Sequence, residues 1–428
     1  MKVFLDTVGC RLNQSEIERI ANQFLMAGHS LVDCAEKSDL IVINTCTVTT
    51  AAAADSRSKT RRAHRENSEA KIILTGCWST LAPTEALSLP GVHRTIDNEI
   101  KDQLFPILLD YPDHSFELDP VLRRPVPGLR MRTRSFIKVQ DGCDNHCTFC
   151  ITKLARGRSR SISLERVIAD VRACVRSGVQ EAVLTGVQLS AYGKDIQNGI
   201  DLKVLVSEIL DRTDIPRLRL SSLEPWALPN DFFDLWDNPR LCRQLHLPLQ
   251  SGSSATLRRM ARPIQPGEFK AIIDEARNRI PSLAITTDII VGFPGVNEDE
   301  FQESLAFIKA MEFADAHVFT YSPRPGTAAM KLPDPVPNSI AKERSWIIRE
   351  VVHQSALNFK RQFIGKELIV LWESATSLNS RGWEMNGLTD NYIRVRANVE
   401  KNLWNLITHV KALSLSGNDL HVEVIHSN

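Results

Sequence analysis

No apolar stretch in this chain approaches the length needed to cross a membrane. The opening Met1-Lys2-Val3-Phe4-Leu5-Asp6 meets a charge too early for a secretory signal. A surplus of either charge is missing as well. The 52 Lys and Arg stand against 51 Asp and Glu, a net charge of +1, so any surface for a polyanion must be local. These absences leave a cytosolic protein as the expectation. In that compartment nine cysteines read as metal or redox chemistry rather than disulfides. With 43% hydrophobic and 24% charged residues the composition is that of an ordinary globular chain. Its 428 residues correspond to roughly two to four domains.

A fourth ligand is missing where one is expected. Cys143, Cys147 and Cys150 stand in the run Gln140-Asp141-Gly142-Cys143-Asp144-Asn145-His146-Cys147-Thr148-Phe149-Cys150. The two short gaps let one tight loop turn three sulfurs inward. Zinc and iron–sulfur centres both usually take four ligands, but the next cysteine, Cys174, lies well downstream in a helical pattern. A cubane on three cysteines leaves one iron open to a small molecule. A zinc site completed by His146 is an alternative, although His146 abuts Cys147 and would strain a shared site. A disulfide plus a free thiol fits a cytosolic chain poorly.

The first part of the chain alternates apolar runs with helical patterns. Val3-Phe4-Leu5, Leu40-Ile41-Val42-Ile43 and Ile72-Ile73-Leu74 read as strands, with a helix from about Ser15 to Ala27 and an alanine-rich helix between the later ones. This predicts a parallel sheet with crossover helices. Each strand leads into a cysteine, through Thr7-Val8-Gly9-Cys10, Asn44-Thr45-Cys46 and Thr75-Gly76-Cys77. The carboxyl ends of parallel strands share one edge, so Cys10, Cys46 and Cys77 are expected to converge as a second metal site. Gly9 and Gly76 are expected to let the backbone approach a bulky inorganic core. Buried structural cysteines are the plainer alternative, and Cys34, Cys174 and Cys242 are read that way.

From about Ser135 to Tyr321 strands and helices alternate again. Strands are expected at Phe136–Val139, Ala182–Thr185, Arg217–Ser221, Leu245–Leu247, Ile285–Gly292 and Ala316–Tyr321, with helices such as Leu164–Arg176 and Leu202–Leu210 between them. Six such units fit a curved parallel sheet or an incomplete eightfold barrel, with the cysteine loop on the carboxyl-end rim where barrel enzymes keep their sites. The same rim gathers Gly186 and Gln188, Ser222 and Glu224, Gln250 and Asp288. Glu224, Gln250 and Asp288 can accept hydrogen bonds from ammonium or ribose hydroxyls, and the glycine permits close approach.

After a helical stretch near Glu343–Gln362, short β-type runs appear at Leu368–Trp372, Tyr392–Val395, Val410–Leu413 and Leu420–Val424, separated by turn residues such as Asn386-Gly387. They predict a small β-barrel, a form that often binds RNA and equally often serves as a packing appendage. The fold class is therefore α/β, in five parts: an N-terminal α/β domain at residues 1–110, a basic linker at 111–134, a central partial barrel at 135–340, a helical connection at 341–365 and an all-β barrel at 366–428. Arg123, Arg124, Arg130, Arg132, Arg134 and Lys138 follow one another with no acidic residue between them. Further groups are Arg57, Lys59, Arg61, Arg62 and Arg65, and Arg156, Arg158 and Arg160. Beside a candidate site such runs read as a phosphate-binding funnel, with Arg130, Arg132, Arg134, Arg156 and Arg158 as RNA contacts.

The spacing C-x3-C-x2-C, with Phe149 just before the last cysteine, resembles the radical S-adenosylmethionine (SAM) superfamily. With Cys10, Cys46 and Cys77, and with the stretches Arg217–Pro225, His246–Gly252 and Asp288–Gly295, the likeness narrows to the methylthiotransferases and covers essentially the whole chain. Gly9-Cys10-Arg11-Leu12-Asn13-Gln14-Ser15-Glu16 and Val42-Ile43-Asn44-Thr45-Cys46-Thr47-Val48-Thr49 look most like the branch acting on N6-threonylcarbamoyladenosine, the tRNA adenosine just 3′ of the anticodon. Lys153, Gln188, Val296-Asn297 and Trp78 depart from that family's usual residues.

The resemblance implies a radical SAM partial barrel, a C-terminal TRAM barrel and two 4Fe–4S clusters, one on Cys143, Cys147 and Cys150 and one on Cys10, Cys46 and Cys77. It implies SAM bound at the first cluster, with Phe149 near its adenine, and sulfur delivered from the second. The implied partners are the tRNA anticodon stem-loop, an electron donor such as flavodoxin or ferredoxin, and a sulfur donor. Rival substrates in the same family are N6-isopentenyladenosine in tRNA and a ribosomal-protein aspartate. A rival of another class is a non-catalytic iron–sulfur RNA-binding protein.

Overall fold

The run Leu40-Ile41-Val42-Ile43-Asn44-Thr45 is buried along its whole length, which an inner strand of a parallel sheet covered on both faces requires. The computed structural model describes residues 1–109, 133–196, 199–229, 231–380 and 382–426. Its N-terminal domain runs β1 (Lys2–Thr7), α1 (Arg11–Met26), β2 (Ser30–Val32), β3 (Leu40–Thr45), α2 (Thr50–Glu66), β4 (Lys71–Gly76), α3 (Cys77–Leu81), α4 (Pro83–Leu87), β5 (Val92–Ile96) and α5 (Leu104–Leu109). The strands form one parallel sheet in the order β2-β1-β3-β4-β5. One face packs Val3, Leu5, Ile17, Phe24 and Phe105; the other packs Ile41, Ile43, Ile72, Leu74 and Trp78. The three expected strands are its centre. The edge strands β2 and β5 escaped the sequence reading because they are short and carry polar or exposed residues.

Helix α1 starts four residues before the expected Ser15, so Cys10 is its N-cap. Asn13, Ser15 and Glu16 on its first turns are buried. They face another domain rather than solvent, which hid the helical period.

The central domain contains β6 (Arg134–Lys138), β7 (Gln140–Asp141), α6 (Thr152–Arg156), β8 (Arg160–Ser161), α7 (Leu164–Arg176), β9 (Glu181–Thr185), α8 (Leu202–Arg212), β10 (Arg217–Leu220), β11 (Gln244–His246), α9 (Ser254–Arg259), α10 (Pro266–Arg279), β12 (Ala284–Val291), α11 (Glu298–Met311) and β13 (Asp315–Thr320). Parallel sheets β10-β9-β6 and β11-β12-β13 are joined by bridges from Leu218 to Leu241 and from Ser222 to His246. The result is the expected six-stranded open barrel, in chain order. Asp201 and Asn297 cap α8 and α11 by accepting from the backbone N–H of Val204 and Glu300. Helix α12 (Asn338–Arg361) packs on β13 and α11.

The chain ends in a closed barrel of β14 (Glu367–Asn379), β15 (Gly382–Thr389), β16 (Arg394–Val399), β17 (Ile407–Ser416) and β18 (Asp419–His426), in the order β14-β15-β16-β18-β17, consistent with a TRAM domain. Asn386-Gly387, read as a turn, lies inside β15 instead. A Cβ on Gly387 would stand 2.3 Å from Val370 Cγ1 and 3.0 Å from Trp372 Cε3, so the glycine makes room for a neighbouring strand.

The barrel sits at the amino ends of β6, β9 and β10. Arg134 pairs with Glu373 at 2.5 Å. Arg217 donates to the Leu388 carbonyl at 3.1 Å, and Arg219 to the carbonyls of Thr389 (3.2 Å) and Asp390 (3.0 Å). Both arginines also hold the buried Glu181, at 2.9 and 2.7 Å.

Candidate active site

Cys10, Cys46 and Cys77 follow β1, β3 and β4 on the carboxyl edge of the first sheet and lie within electrostatic reach of one another. Gly9, at φ +103°, leaves space that Cys46 fills: a Cβ there would stand 2.6 Å from the Cys46 sulfur. At Gly76, φ +99°, a Cβ would meet the Thr45 carbonyl oxygen at 2.2 Å. Both glycines thus serve the close approach of neighbouring loops. Cys10 is the exposed member of the set, while Cys46 and Cys77 are buried. Burial pushes the Cys46 thiol up to about 11.

Asparagines hold this triad in place. Asn13 accepts from the Cys10 thiol at 3.8 Å and donates to the carbonyls of Val8 (2.8 Å) and Thr45 (3.0 Å). Asn98 donates to the Cys77 sulfur at 3.6 Å and to the carbonyl of Ala155 at 2.7 Å.

The second triad occupies the loop after β7. Gly142, at φ +71°, opens it, and a Cβ there would stand 1.9 Å from the Arg158 carbonyl oxygen. Cys143 donates to Gln188 Oε1 at 3.2 Å, and burial pushes its thiol up to about 12. Cys147 also titrates above the ordinary thiol value through burial, with Arg262 opposing the shift. Cys150 is exposed and donates to Thr152 Oγ1 at 3.2 Å. His146 turns away: its Nε2 lies 3.0 Å from Lys153 Nζ, so it does not complete the site. Among the described residues no three or more His, Cys, Asp or Glu side chains gather closely enough to ligate a single ion.

A cavity of about 200 Å³ opens beside this loop. Cys143, Cys147, Cys150 and Phe149 line it, with Ser222, Glu224, Gln250 and Asp288 from the other rim loops. Burial raises Glu224 to about 7, against the opposing pull of Arg262. Gln250 adopts φ +72°, a conformation costing a non-glycine residue about 1–2 kcal/mol. Its backbone fixes the loop by bonding Asp288 O and Ile290 N at 2.8 and 2.9 Å. Asp288 lies 3.3 Å from His246 Nε2. Gly186 and Gln188 are set back: Gln140 fills the space beside Gly186, and Gln188 is engaged with Cys143. A larger cavity, about 650 Å³, lies between α10, β12 and α12 and contains none of these residues.

The sequence reading missed Arg262. It donates to the carbonyl of Pro248 at 2.6 Å, approaches the Cys147 sulfur at 3.8 Å and stacks 4.2 Å from the Trp226 ring centroid. Its place in Arg258-Arg259-Met260-Ala261-Arg262, just beyond a rim motif, was the available signal.

Arg156 overturns an expectation. Read as an RNA contact, it is 2% exposed and bound to Glu16 at 2.8 Å, Asp141 at 2.9 Å and Asn13 Oδ1 at 2.6 Å. Lys101 completes the network, 2.8 Å from Glu16. Burial opposes the charge on Glu16, and Arg156, Lys101 and Lys138 outweigh it, holding the carboxyl well below the usual range. Arg156 thereby fastens the central domain to α1 and lies within electrostatic reach of Cys10 and Cys77. Its acidic partners are distant in sequence, so the arginine run alone could not reveal them. Arg134 is likewise committed to Glu373, whereas Arg158 is exposed. Arg123, Arg124, Arg130 and Arg132 lie outside the described residues.

Residues 137–308 match the Radical SAM superfamily, and residues 2–96 match the uncharacterized protein family UPF0004. The chain is 34% identical to the threonylcarbamoyladenosine tRNA methylthiotransferase MtaB of Bacillus subtilis, over 96% of this chain and 93% of that protein. It is 37% identical to the MtaB of Thermotoga maritima, over 87% and 86%. A tRNA-2-methylthio-N(6)-dimethylallyladenosine synthase of Fusobacterium nucleatum is 30% identical, over 93% and 94%. Among solved structures, the radical SAM methyltransferase TsrM of Kitasatospora setae, with cobalamin and an iron–sulfur cluster bound, superposes with a TM-score of 0.57 at 14% identity, over 75% of this chain and 76% of that one. That likeness is one of fold.

Proposed function

Since the chain belongs to the radical SAM methylthiotransferase family, in its MtaB-like branch, we propose that it adds a methylthio group to carbon two of N6-threonylcarbamoyladenosine beside the tRNA anticodon, in two SAM-dependent steps. The observation that most supports this reading is the meeting of the two cysteine triads at one domain junction. Helix α6, just after Cys150, packs on α3, which begins with Cys77, and Asn98 touches both the Cys77 sulfur and Ala155.

Cys143, Cys147 and Cys150 would hold one 4Fe–4S cluster together with SAM, and Cys10, Cys46 and Cys77 a second. Three thiol donors per set, each with a protein cradle around it, fit such clusters. When bound and reduced they supply the radical chemistry that a C–H bond of no useful acidity requires.

The chain's own residues bind, orient and exclude. Glu224 and Asp288 present carboxylates toward an ammonium and ribose hydroxyls, and Arg262 offers a fork for a carboxylate. Phe149 supplies an apolar wall. Gln188 and Thr152 hold the thiols of Cys143 and Cys150 in orientation. Burial of Cys46 and Cys77 keeps bulk water from two of the three N-terminal thiols. The barrel, Arg158 and the basic segment with Arg130 and Arg132 would grip the anticodon stem-loop, and the target base must unstack to enter. A flavodoxin- or ferredoxin-type electron donor and a sulfur donor would complete the cycle in the cytoplasm.

Mass spectrometry of tRNA nucleosides from a host without its own methylthiotransferases tests the proposal. Expression of this chain is expected to produce 2-methylthio-N6-threonylcarbamoyladenosine. The isopentenyl counterpart instead would overturn the substrate while keeping the chemistry. Neither product, from protein that still cleaves SAM, would favour a ribosomal-protein target.

A further inference from the structure

The loop after β13, Tyr321-Ser322-Pro323-Arg324-Pro325-Gly326-Thr327, carries a buried cation that has no counter-charge among the described residues. Arg324 is 7% exposed, and its buried Nε and Nη2 have no acceptor among the described residues. The other deeply buried arginines of the central domain are engaged: Arg156 with Glu16 and Asp141, Arg219 with Glu181, Arg262 with the Pro248 carbonyl. A guanidinium removed from water with nothing to bind is costly, and a rigid fold that maintains one has prepared a place for an anion.

The loop is braced on several sides. Tyr321 N–H donates to the carbonyl of Val291 at 2.8 Å. The Tyr321 ring meets Phe293 edge-on at 5.4 Å, and Phe293 in turn meets Phe149 of the cysteine loop at 6.5 Å. The Arg324 carbonyl accepts from both Thr327 N (3.1 Å) and Thr327 Oγ1 (2.7 Å), and prolines on both sides restrict the backbone further. Ser322 Oγ lies 2.7 Å from Thr50 Oγ1 in the N-terminal domain. Arg324 is within electrostatic reach of Cys46, while Gly326 packs beside Leu154 of α6. The loop therefore touches elements that carry both triads, and Arg324 does not line the cavity that Arg262 serves.

We propose that Arg324 receives an anionic oxygen group of the RNA substrate, either the threonyl carboxylate on the target base or a phosphate next to it. Both offer the planar pair of acceptors that a guanidinium fork matches. This inference rests on the tRNA reading above and assigns the residue that would hold the target nucleotide.

The test is fluorescence anisotropy with cluster-reconstituted protein and three labelled anticodon stem-loops, carrying N6-threonylcarbamoyladenosine, its neutral methyl ester, or plain adenosine. Arg324→Gln is expected to bind the native substrate about 10- to 100-fold more weakly. If the carboxylate is the partner, wild type discriminates against the ester and plain adenosine, and R324Q does not. If a phosphate is the partner, R324Q weakens all three alike and lowers the salt slope by about one. R324Q binding all three as wild type does would overturn the inference alone. Wild type binding none of them would overturn the tRNA reading and the inference with it. Iron content and cluster absorbance of R324Q and R324K serve as controls. Lost iron with unchanged RNA affinity would assign the guanidinium to the Cys46 site and overturn the proposal.

Discussion

Cys46 and Cys147 are chemically the same group, each with its thiol pushed up by burial, and their neighbours separate their roles. Cys147 lines the cleft of about 200 Å³ with Glu224 and Arg262; Cys46 lies at the end of β3 against Gly9. Cys147→Ala is expected to lower both 5′-deoxyadenosine formation and methylthio product more than about a hundredfold, beyond the usual cost of an outer-shell loss. Cys46→Ala should keep cleaving SAM while losing the product, as read by chromatography of both species. Normal product from Cys46→Ala would remove the N-terminal triad from the reaction. The cysteines were legible because three sit within one short run and three repeat one position in a strand–loop unit. The arginines were not. Arg156, Arg158 and Arg324 look alike in sequence, yet one is neutralised, one solvated and one left without a partner among the described residues, and those fates depend on side chains far along the chain.

Among the elements, apolar runs located the inner strands, and the errors fell where a local signal had a second physical cause. Asn386-Gly387 has the composition of a hairpin turn, yet it lies mid-strand because Trp372, fully buried in the barrel, crosses over Gly387. Gly387 has an ordinary strand conformation, so Gly387→Ala adds a steric conflict and no backbone strain. Its expected cost is about 1–3 kcal/mol, measured by urea unfolding. Gly267→Ala, where a Cβ meets nothing within 4 Å, is the control and should be neutral or slightly stabilising. Equal stability of the two variants would show that the barrel core relaxes around the added methyl. The start of α1 failed for a related reason: its polar first turns are buried by contact with the central domain, which periodicity within one helix cannot register.

For the whole molecule, domain junctions are built from buried ions. Burial opposes the charge of Glu181, but Arg219 and Arg217 outweigh it and hold its carboxyl at about 2. The folded value lies below that of an unfolded glutamate, near 4.3. Glu181 therefore stabilises the fold at every pH above about 4.3, and that contribution is lost as pH falls from there through about 2, a term on the order of 3 kcal/mol. Urea midpoints of wild type should fall across this window. Glu181→Gln should be less stable near neutrality by roughly 3–5 kcal/mol, because two buried arginines lose their counter-charge, and its midpoint should change less with acid. An equally steep decline in the variant would place the acid sensitivity elsewhere, for instance at Glu16. Because both arginines also hold the barrel backbone, Arg217 at Leu388 and Arg219 at Thr389 and Asp390, this one carboxylate supports the seat of the barrel. The six-strand order and the three-part architecture could be read from the sequence; these junctions could not, since their partners come from different domains.

The two triads differ in how the chain makes them. Cys143, Cys147 and Cys150 are neighbours in one loop, so even an extended chain carries them as a chelating segment with little closure entropy to overcome. Cys10, Cys46 and Cys77 come together only after β1, β3 and β4 have paired in register. The N-terminal triad does not exist in the unfolded protein, and the meeting of its three thiols reports a completed sheet. Topology therefore sets different conditions for the two triads: the central one needs a single loop, and the N-terminal one needs a whole sheet.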